Sequence, residues 1–307
     1  MRLGPGKEFD LIRRINKRLG KLAVGIGDDA AVLGVPRGDQ LVVSTDTAIE
    51  DVHFRSAWLT PREIAYRAVT AALSDLAAMA ATPKGVLVSL ALAPRDVTHI
   101  DQLADGIGDA VRAAKTVVLG GNVARADTLG ITTTVLGSVF SPLSRAGARP
   151  GDCIYVTGSL GAPAAALRAL LKRRKPEKGI RERFVHPHAR IEEARWLAAR
   201  GAVAAIDISD GLAADAGHLA AASGVAIEIA SERVPVFAGA TERDALAGGE
   251  EYELLVASRA PLPDAEFASR FKVPLTLIGR ARQGSKVSIR KDGKRVATPS
   301  GHNHLVR

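Results

Sequence analysis

The sequence has little cysteine and few aromatic residues: among 307 residues, Cys153 is the sole cysteine, and Phe, Trp and Tyr together make up 4%. A single cysteine excludes an intrachain disulfide and is typical of a reducing compartment. The sequence contains no GxxxxGK[ST] P-loop, no GxGxxG fingerprint and no Cys/His set with zinc-ligand spacing. No apolar run approaches the ~18 residues of a membrane span, and the N-terminus lacks the apolar core of a signal peptide. We therefore expect a cytoplasmic protein with no membrane partner.

The chain is basic, and its charges are unevenly distributed. Lys and Arg number 42 against 33 Asp and Glu, which gives a net charge of +9. Residues 168–200 contain eleven basic and four acidic side chains, residues 280–307 eight and one, and residues 201–279 five and twelve. The basic segments could bind a polyanion. They fit better with a solvated helix face and a basic terminal hairpin, because few aromatic residues lie among them to stack on bases. We therefore do not expect nucleic acid as a partner.

Strands and helices alternate along the whole chain, which predicts a mixed α/β (α+β) protein. A length of 307 residues suggests two domains. Residues 141–152, SPLSRAGARPGD, are rich in Gly, Pro and Ser and predict the boundary between them. We assign residues 1–145 to one domain and residues 146–307 to the other.

The clearest local prediction is a helix over residues 60–81. Thr60 as N-cap, Pro61 at the first helical position and Glu63 form a capping-box pattern. Glycine pairs, basic runs and turn residues predict the other notable segments. These are a strand over 116–119 that ends at Gly120-Gly121, an irregular connection over 175–186, and a β-hairpin over 287–298 that turns at Asp292-Gly293.

Eight carboxylates stand in short acidic clusters, most of them beside Gly, Ser or Thr and next to apolar segments. An isolated buried carboxylate is costly, so such groups are usually paired or bound to a cation. Mg²⁺ prefers oxygen ligands and is commonly held by a few carboxylates together with substrate phosphates. The clusters therefore predict a site for several metal ions and a phosphate-bearing ligand. Their members are Asp28, Asp29, Asp46, Asp75, Asp207, Asp210, Glu250 and Glu251.

Three of these acids are hard to explain as surface residues. Asp75 lies inside the predicted helix among neighbours that are almost all apolar or small, and Asp is a poor residue in the middle of a helix. Asp46 and Asp207 each end an apolar strand, and the ligands of α/β sheets usually bind beyond the carboxyl ends of strands. These positions favour a functional role.

The other acids have ordinary structural explanations as well. Asp210 could be the N-cap of the helix that follows it. The pairs Asp28-Asp29 and Glu250-Glu251 both follow glycines and could form charged surface turns. Taken singly, these positions leave both interpretations open.

Seven motifs occur in the order and approximate spacing of the thiamine-monophosphate kinases, and the sequence resembles this family over essentially its whole length. The family belongs to the superfamily that includes aminoimidazole ribonucleotide synthetase. The motifs are GIGDDAAVL, STDTAIEDVHF, SDLAAMAA, the Gly120-Gly121 segment, GARPGDCIYVTG, DISDGL and GGEEYELL. The resemblance implies an N-terminal mixed-sheet domain that binds ATP and metal and pairs with a second protomer. It also implies a C-terminal α/β domain that covers the nucleotide.

The resemblance further implies an activity: ATP-dependent phosphorylation of thiamine monophosphate to thiamine diphosphate, by in-line transfer of the γ-phosphoryl group, in a homodimer that binds several Mg²⁺ ions. A terminal phosphate is an adequate nucleophile at neutral pH, so no catalytic base is expected. The implied metal ligands are Asp29, Ser44, Thr45, Asp46, Asp75, Asn122, Asp207 and Asp210. The implied ATP contacts are Gly121, Asn122, Arg145 and Ser209, with Arg125 as a further candidate, and the implied substrate contacts are His53, Glu250 and His302.

The sequence departs from the family pattern at two positions. Asn122 stands where the family has Asp after the two glycines, so we expect metal binding to weaken by about tenfold, with Asp127 as a candidate for compensation. His302 stands where the family has an aromatic residue, which would reduce contact with the substrate ring. Two alternatives therefore stay open. One is a protein that binds nucleotide and thiamine phosphate with weakened or no turnover, and the other is a different ATP-using member of the superfamily.

Overall fold

The computed structural model describes residues 7–24, 26 and 30–299. The chain divides into two compact units. The first contains the residues up to Leu76 together with Ala81–Ser141, and the second contains Ala77–Ala80 together with the residues from Pro142 onward. The division at 141/142 lies within the Gly/Pro/Ser-rich segment. Among the described residues, no helix is both long and apolar enough to cross a membrane.

The first unit is built on a four-stranded sheet with the strand order β1-β4-β2-β3. Strand β4 pairs antiparallel with both β1 and β2, and β2 pairs parallel with β3. The helices are α1 (Lys7–Leu19), α2 (Pro61–Ala78) and α3 (Ile100–Ala113), and the strands are β1 (Gln40–Ile49), β2 (Thr82–Leu92), β3 (Val118–Arg125) and β4 (Gly130–Val139).

Helix α2 begins with the predicted capping box. The Thr60 hydroxyl accepts from the Glu63 amide at 3.3 Å, and the Thr60 amide donates to Glu63 Oε2 at 2.9 Å. The helix ends at Ala78, three residues before the predicted end. Ala80 adopts a left-handed backbone with φ 55°, and the Ala81 amide donates to the Leu76 carbonyl, the bond that closes a Schellman motif.

The sheet of the first unit has one buried and one exposed face. Val86, Val88, Leu90, Ile131 and Val135 on the two central strands are buried. The edge strand β1 alternates between exposed and half-buried side chains along its length. Strand β3 continues through Gly120-Gly121 to Arg125, whereas the sequence predicted that it would end at the glycines. Pairing with β2 carries the strand through them.

The second unit contains a seven-stranded sheet with the order β11-β10-β7-β9-β5-β8-β6. The pair β7/β10 is parallel, and the other pairs are antiparallel. Its strands are β5 (Cys153–Thr157), β6 (Ala202–Asp207), β7 (Ala226–Ala230), β8 (Leu254–Ser258), β9 (Leu275–Arg282), β10 (Val287–Lys291) and β11 (Lys294–Val296), and its helices are α4 (Ala162–Leu171), α5 (Lys178–Val185), α6 (Ile191–Ala198), α7 (Leu212–Ser223), α8 (Glu242–Ala247) and α9 (Asp264–Phe271).

Two predictions for this unit had different outcomes. The hairpin is confirmed, because Lys291 pairs with Lys294 and the turn residues Asp292 and Gly293 have φ 50° and 76°, as a type I′ turn requires. The irregular connection over 175–186 is wrong, since α5 occupies most of it. Burial of apolar side chains on one side of this short helix outweighs the basic, Gly- and Pro-containing composition of the 175–186 segment.

Candidate functional site

Strand β1 presents its side chains to two faces in turn. Ser44 and Asp46 are half-buried, whereas Thr45 and Thr47 are exposed. The Thr45 hydroxyl lies 3.1 Å from that of Thr134 on the neighbouring strand β4. The predicted metal ligands Ser44, Thr45 and Asp46 therefore have side chains on different faces, with Thr45 on the exposed one.

Ser44 and Asp46 lie near the carboxylate of Asp75 on α2. The Ser44 hydroxyl donates to Asp75 Oδ2 at 2.5 Å. Asp75 itself is half-buried between the fully buried residues Ser74 and Leu76. Burial, together with the negative charge of Asp75, raises the pKa of Asp46 to about 6. Two carboxylates and a hydroxyl thus lie together in a partly desolvated site, where a hard cation would relieve the repulsion between the two carboxylates.

Residues paired directly across neighbouring strands form a row that crosses the sheet, and the row of Asn122 differs from that of Asp46. Backbone pairing joins Asn122 to Ser89, Ser89 to Thr132, and Thr132 to Thr47. The hydroxyls of Thr47 and Thr132 lie 3.0 Å apart. Directly paired residues share a face of a sheet. The backbone pairing therefore places Asn122 on the face of Thr47, and not on the face of Asp46.

Gly121 lies in the row of Asp46, which runs through Thr133 and Val88. A Cβ atom at Gly121 would lie 1.8 Å from the carbonyl oxygen of Val88. Only glycine fits so close to the neighbouring backbone. Any contact that Gly121 makes with a nucleotide would therefore be a main-chain contact.

The predicted substrate contact His53 lies in the turn that follows β1. Its Nδ1 accepts from the Ile49 amide at 3.1 Å, and its own amide donates to the Ile49 carbonyl at 2.9 Å. An accepting Nδ1 means that the neutral ring carries its proton on Nε2. The turn is fixed further by Glu50, which accepts from the Ser56 hydroxyl at 2.6 Å and from Arg95 at 2.5 Å.

In the second unit, the loop after β6 is joined by its backbone to the GGEEYELL segment. Asp207 ends the strand and is buried, with 4% of its surface exposed. The Glu250 amide donates to the Ser209 carbonyl at 2.8 Å, and the Tyr252 amide donates to the Ile208 carbonyl at 2.9 Å. The predicted positions in the DISDGL segment and the predicted position Glu250 are thus neighbours.

The GGEEYELL segment has an unusual backbone. Glu250 and Tyr252 are in the left-handed region, with φ 62° and 53°. Such strain is rare outside turns and concentrates at ligand sites. Glu251 between them is buried, its Oε1 accepts from the Gly161 amide at 2.5 Å, and its Oε2 has no hydrogen-bond partner within the described part of the chain. Burial raises the pKa of Glu251 to about 8, which favours its neutral form, and the side chain is not the surface charge that a solvent-exposed turn would carry.

Asp215 on α7 is a candidate that the sequence predictions missed. Its side chain is 1% exposed, and Oδ2 accepts from three consecutive amides, those of Ser209, Asp210 and Gly211, each at 3.0 Å. Burial raises the pKa of Asp215 to about 7. The signal that identified Asp75, an acid within a helical run of small apolar residues, is also present here in LAADAGHLAA. The N-cap of α7 is Gly211, and Asp210 does not hold that position.

Glu253 forms a buried ion-pair network that the sequence predictions also missed. It accepts from Arg190 Nε and Nη2 at 2.8 and 2.6 Å, from the Thr157 hydroxyl at 2.6 Å, and from Arg183. Burial alone would raise the pKa of Glu253, but the two arginines lower it to about 2. Part of the basic 168–200 segment therefore supplies buried structural charges.

The remaining predicted residues are more exposed or lie elsewhere. Arg145 is exposed, and its carbonyl accepts from the Ser223 hydroxyl at 2.6 Å. Arg125 is exposed at the end of β3. The predicted metal ligand Asp29, its neighbour Asp28 and the predicted substrate contact His302 fall outside the described residues.

Each unit thus offers an oxygen-rich, partly buried set of groups suited to divalent cations, through which a phosphate could bind. In the first unit these are the Ser44 hydroxyl and the Asp46 and Asp75 carboxylates. In the second unit they surround the loop that carries Ser209 and Asp210. Hard oxygen donors of this kind are the usual partners of Mg²⁺ and its bound phosphates.

Two family models match most of the chain. Residues 27–139 match the N-terminal domain of AIR synthase related proteins, and residues 149–292 match the C-terminal domain of the same proteins. The match of both domains in order agrees with the predicted fold class.

Known proteins that resemble this chain match it over nearly its full length. Thiamine-monophosphate kinase from Bacillus subtilis is 34% identical over 97% of this chain and 99% of the relative. Thiamine-monophosphate kinase from Aquifex aeolicus is 35% identical over 99% of this chain and 100% of the relative.

Solved structures give the same family likeness. Thiamine-monophosphate kinase from Stenotrophomonas maltophilia superposes with a TM-score of 0.84 at 34% identity, covering 94% of this chain and 98% of that one. AaThiL complexed with AMPPCP and TMP gives a TM-score of 0.76 at 33% identity, covering 98% of both chains. Hydrogenase maturation protein HypE in complex with ATP gives 0.80 over 98% of this chain and 97% of that one, but at 18% identity it shares the fold alone.

Proposed function

Because the chain belongs to the thiamine-monophosphate kinases, within the AIR synthase related proteins, we propose that it transfers the γ-phosphoryl group of ATP in line to thiamine monophosphate. The bond between the γ-phosphorus and the β,γ-bridging oxygen of ATP breaks, and a bond forms between that phosphorus and an oxygen of the terminal phosphate of thiamine monophosphate. The products are ADP and thiamine diphosphate. The observation that carries the proposal is the group of Ser44, Asp46 and Asp75 in a chain that matches these kinases from end to end.

The proposed cofactor is Mg²⁺, as several ions, and the residues around Asp46 fit a divalent cation. Without a cation, burial and the charge of Asp75 make ionised Asp46 unfavourable, as its raised pKa of about 6 expresses. Magnesium, when bound, would neutralise phosphate charge during the transfer. In the first unit the predicted ligands Ser44, Asp46 and Asp75 would hold magnesium, and in the second unit Asp207 and Asp210 are the predicted ligands.

The chain's own groups would mainly bind and orient the two anionic reactants. Two phosphate-bearing molecules repel each other, so positioning contributes more than acid–base chemistry does. His53 would donate from Nε2 to thiamine monophosphate, because its Nδ1 is occupied by the Ile49 amide. Gly121 would offer main-chain contacts to ATP, and Arg145 would add positive charge. No residue acts as a general base in this scheme.

A homodimer is part of the proposal. Strand β1 is an edge strand of the four-stranded sheet and extends over ten residues. Leu41 and Val43 on it are 50% and 53% exposed. A long apolar edge strand favours pairing with another chain, and a second copy would cover it. Light scattering should give about twice the 32.1 kDa of the chain, and Val43→Lys should shift the protein toward the monomer.

A cytoplasmic location is also part of the proposal, because the one cysteine is buried and forms no disulfide, as is typical of a reducing compartment.

The function is tested by incubating the purified protein with ATP, Mg²⁺ and thiamine monophosphate, and by separating the products chromatographically. Equal amounts of ADP and thiamine diphosphate support the proposal. Asp46→Asn and Asp75→Asn should abolish most turnover. Asp101→Asn, which changes an exposed carboxylate paired with Arg14 on the surface, should leave it unchanged. No thiamine diphosphate from folded protein that binds ATP would refute the proposal.

Asn122 supports a second candidate, a protein that binds nucleotide and thiamine phosphate with little turnover. It replaces the charged ligand of the family with a neutral amide, and its backbone row leads to Thr47 and not to Asp46. Calorimetric binding of MgATP and thiamine monophosphate without product would favour this candidate over the kinase.

A further inference from the structure

Asp215 holds the loop between β6 and α7 from inside the helix. Three consecutive backbone amides, from Ser209 to Gly211, point to the single oxygen Oδ2, each at 3.0 Å. The carboxylate is almost completely buried. Three hydrogen bonds from consecutive amides to one buried oxygen fix the orientation of the peptide planes of this loop.

The start of α7 has no side-chain cap of its own. The N-cap residue Gly211 has φ 116° and no side chain that could accept from the helix. Helix N-termini leave amides without partners, and a side-chain oxygen at the N-cap usually satisfies one of them. Here the oxygen comes from Asp215, further along the helix, and it binds the amides that precede the helix.

The same loop is held on its carbonyl side by the GGEEYELL segment. The Ser209 carbonyl accepts from the Glu250 amide at 2.8 Å. A Cβ atom at Gly249 would lie 2.3 Å from the same carbonyl oxygen. The amide and the carbonyl of Ser209 therefore both have fixed partners, which leaves the loop little room to adjust.

We propose that Asp215 is a positioning residue that sets the orientation of the Ser209–Gly211 loop, so that Ser209 and Asp210 meet the phosphates and the cation of MgATP in one defined arrangement. The inference rests on the proposed function, because Ser209 and Asp210 are the predicted ATP and metal contacts. Asp215 itself touches neither reactant in this scheme. Its role is to remove the freedom that a glycine-containing loop would otherwise have.

The alternative role for Asp215 is that of a metal ligand. Carboxylate oxygens of Asp210 and Asp215 and a ring nitrogen of His218 lie within 4.8 Å of one another. However, Oδ2 of Asp215 already accepts from three amides. These three hydrogen bonds occupy Oδ2 and leave only Oδ1 to face a cation, so we assign Asp215 to the loop and test the metal-ligand role separately with His218→Ala.

The test combines hydrogen exchange with binding and kinetics for Asp215→Asn and Asp215→Ala. In the wild type, the peptide that contains Ser209–Gly211 should exchange slowly. Asp215→Ala leaves all three amides without their acceptor, so this peptide should exchange faster, and the KM and Kd for MgATP should rise by about ten- to a hundredfold. Asp215→Asn keeps one acceptor oxygen and should show the smaller change in both measurements. If the alanine variant does not fold, loop exchange and MgATP affinity are compared between the wild type and Asp215→Asn alone, and no change in either would overturn the proposal.

Asp152→Asn is the matched control. Asp152 is also a buried carboxylate, and it accepts from the Arg149 backbone amide at 2.7 Å. It lies in a different loop of the same unit. This variant should lose stability and keep its affinity for MgATP. Equal losses of MgATP affinity in the Asp152 and Asp215 variants, or unchanged exchange of the loop in Asp215→Ala, would overturn the proposal.

His218→Ala separates the anchor from the metal-ligand role. If Asp215 anchors the loop, His218→Ala should leave the Kd for MgATP unchanged, whereas an equal loss in both variants would assign the cluster to a cation and overturn the inference. Exchange and MgATP binding need no thiamine phosphate. A wild type that makes no thiamine diphosphate would therefore refute the proposed function while leaving this inference to its own outcome.

Discussion

Asp46 on β1 and Asp75 on α2 are electrostatically coupled: the negative charge of Asp75 adds to burial in raising the pKa of Asp46 to about 6. The Ser44 hydroxyl donates a hydrogen bond to the Asp75 carboxylate, and this bond favours the ionised form of Asp75. In the cation-free protein this arrangement opposes folding at neutral pH, because a partly buried carboxylate must ionise beside another one. Sites that are unfavourable when empty are common where a ligand is to be bound.

Asp46→Asn should therefore stabilise the metal-free protein while it abolishes most turnover. A folded-state pKa raised from 3.8 to about 6 means that stability is lost as pH rises through this window and stays lost above it. Allowing for solvent screening, the gain at pH 7.5 should be on the order of 1–2 kcal/mol. Urea unfolding in the presence of a chelator measures it. A variant less stable than the wild type at pH 7.5, or a gain that is equally large at pH 3.5, would contradict the interpretation.

Asn122→Asp tests whether the missing family carboxylate still matters. The substitution restores a charged ligand at the position predicted to bind metal, so the Mg²⁺ concentration for half-maximal activity should fall by about tenfold. Titration of the kinase reaction with Mg²⁺ measures this. Asp127→Asn in the wild type is the companion variant, because weaker Mg²⁺ activation there would show that Asp127 compensates. An unchanged Mg²⁺ requirement in Asn122→Asp would mean that position 122 does not contribute to metal binding.

Local patterns predicted the structure well where one short segment decides it. The Thr60/Glu63 capping box and the Asp292-Gly293 turn are satisfied by their own neighbours, and both were confirmed. Helix α5 could not be found this way, because it depends on burying Ile180 and Phe184 against the rest of its unit. The Lys, Arg, Pro and Gly residues of the 175–186 segment indicate only an exposed connection.

The same limit applies to the candidate site. The acidic motifs predicted the candidate site residues, but the sequence does not give the register that pairs Asn122, through Ser89 and Thr132, with Thr47. Alternation along β1 does separate Thr45 from Asp46, and that much follows from the strand itself. Asp215 carried a usable signal, whereas the burial of Glu253 depends on arginines about sixty and seventy residues away in the chain.

Arg190→Met should destabilise the protein strongly, because it leaves the buried Glu253 carboxylate without one of its two cationic partners. Breaking a buried pair in this way typically costs about 3–5 kcal/mol, whereas an exposed pair contributes less than about 1 kcal/mol. Lys291→Met, which removes an exposed pair with Glu242, is the matched control. Urea unfolding at pH 7 compares them. Similar losses in both variants would show that the Glu253 network is not a stabilising element.

Glu251→Gln should stabilise the protein increasingly as pH rises. Burial raises the pKa of Glu251 from 4.5 to about 8, so the folded wild type loses stability through that window and the loss is complete above it. Glutamine has nearly the same shape, can still accept from the Gly161 amide, and does not titrate. The difference in unfolding free energy, glutamine minus wild type, should therefore grow between pH 5 and pH 8 by on the order of 1–3 kcal/mol and then level off. Urea unfolding at pH 5, 7 and 9 measures it, and a difference that stays constant or shrinks over this range would show that Glu251 is ionised in the folded protein at neutral pH.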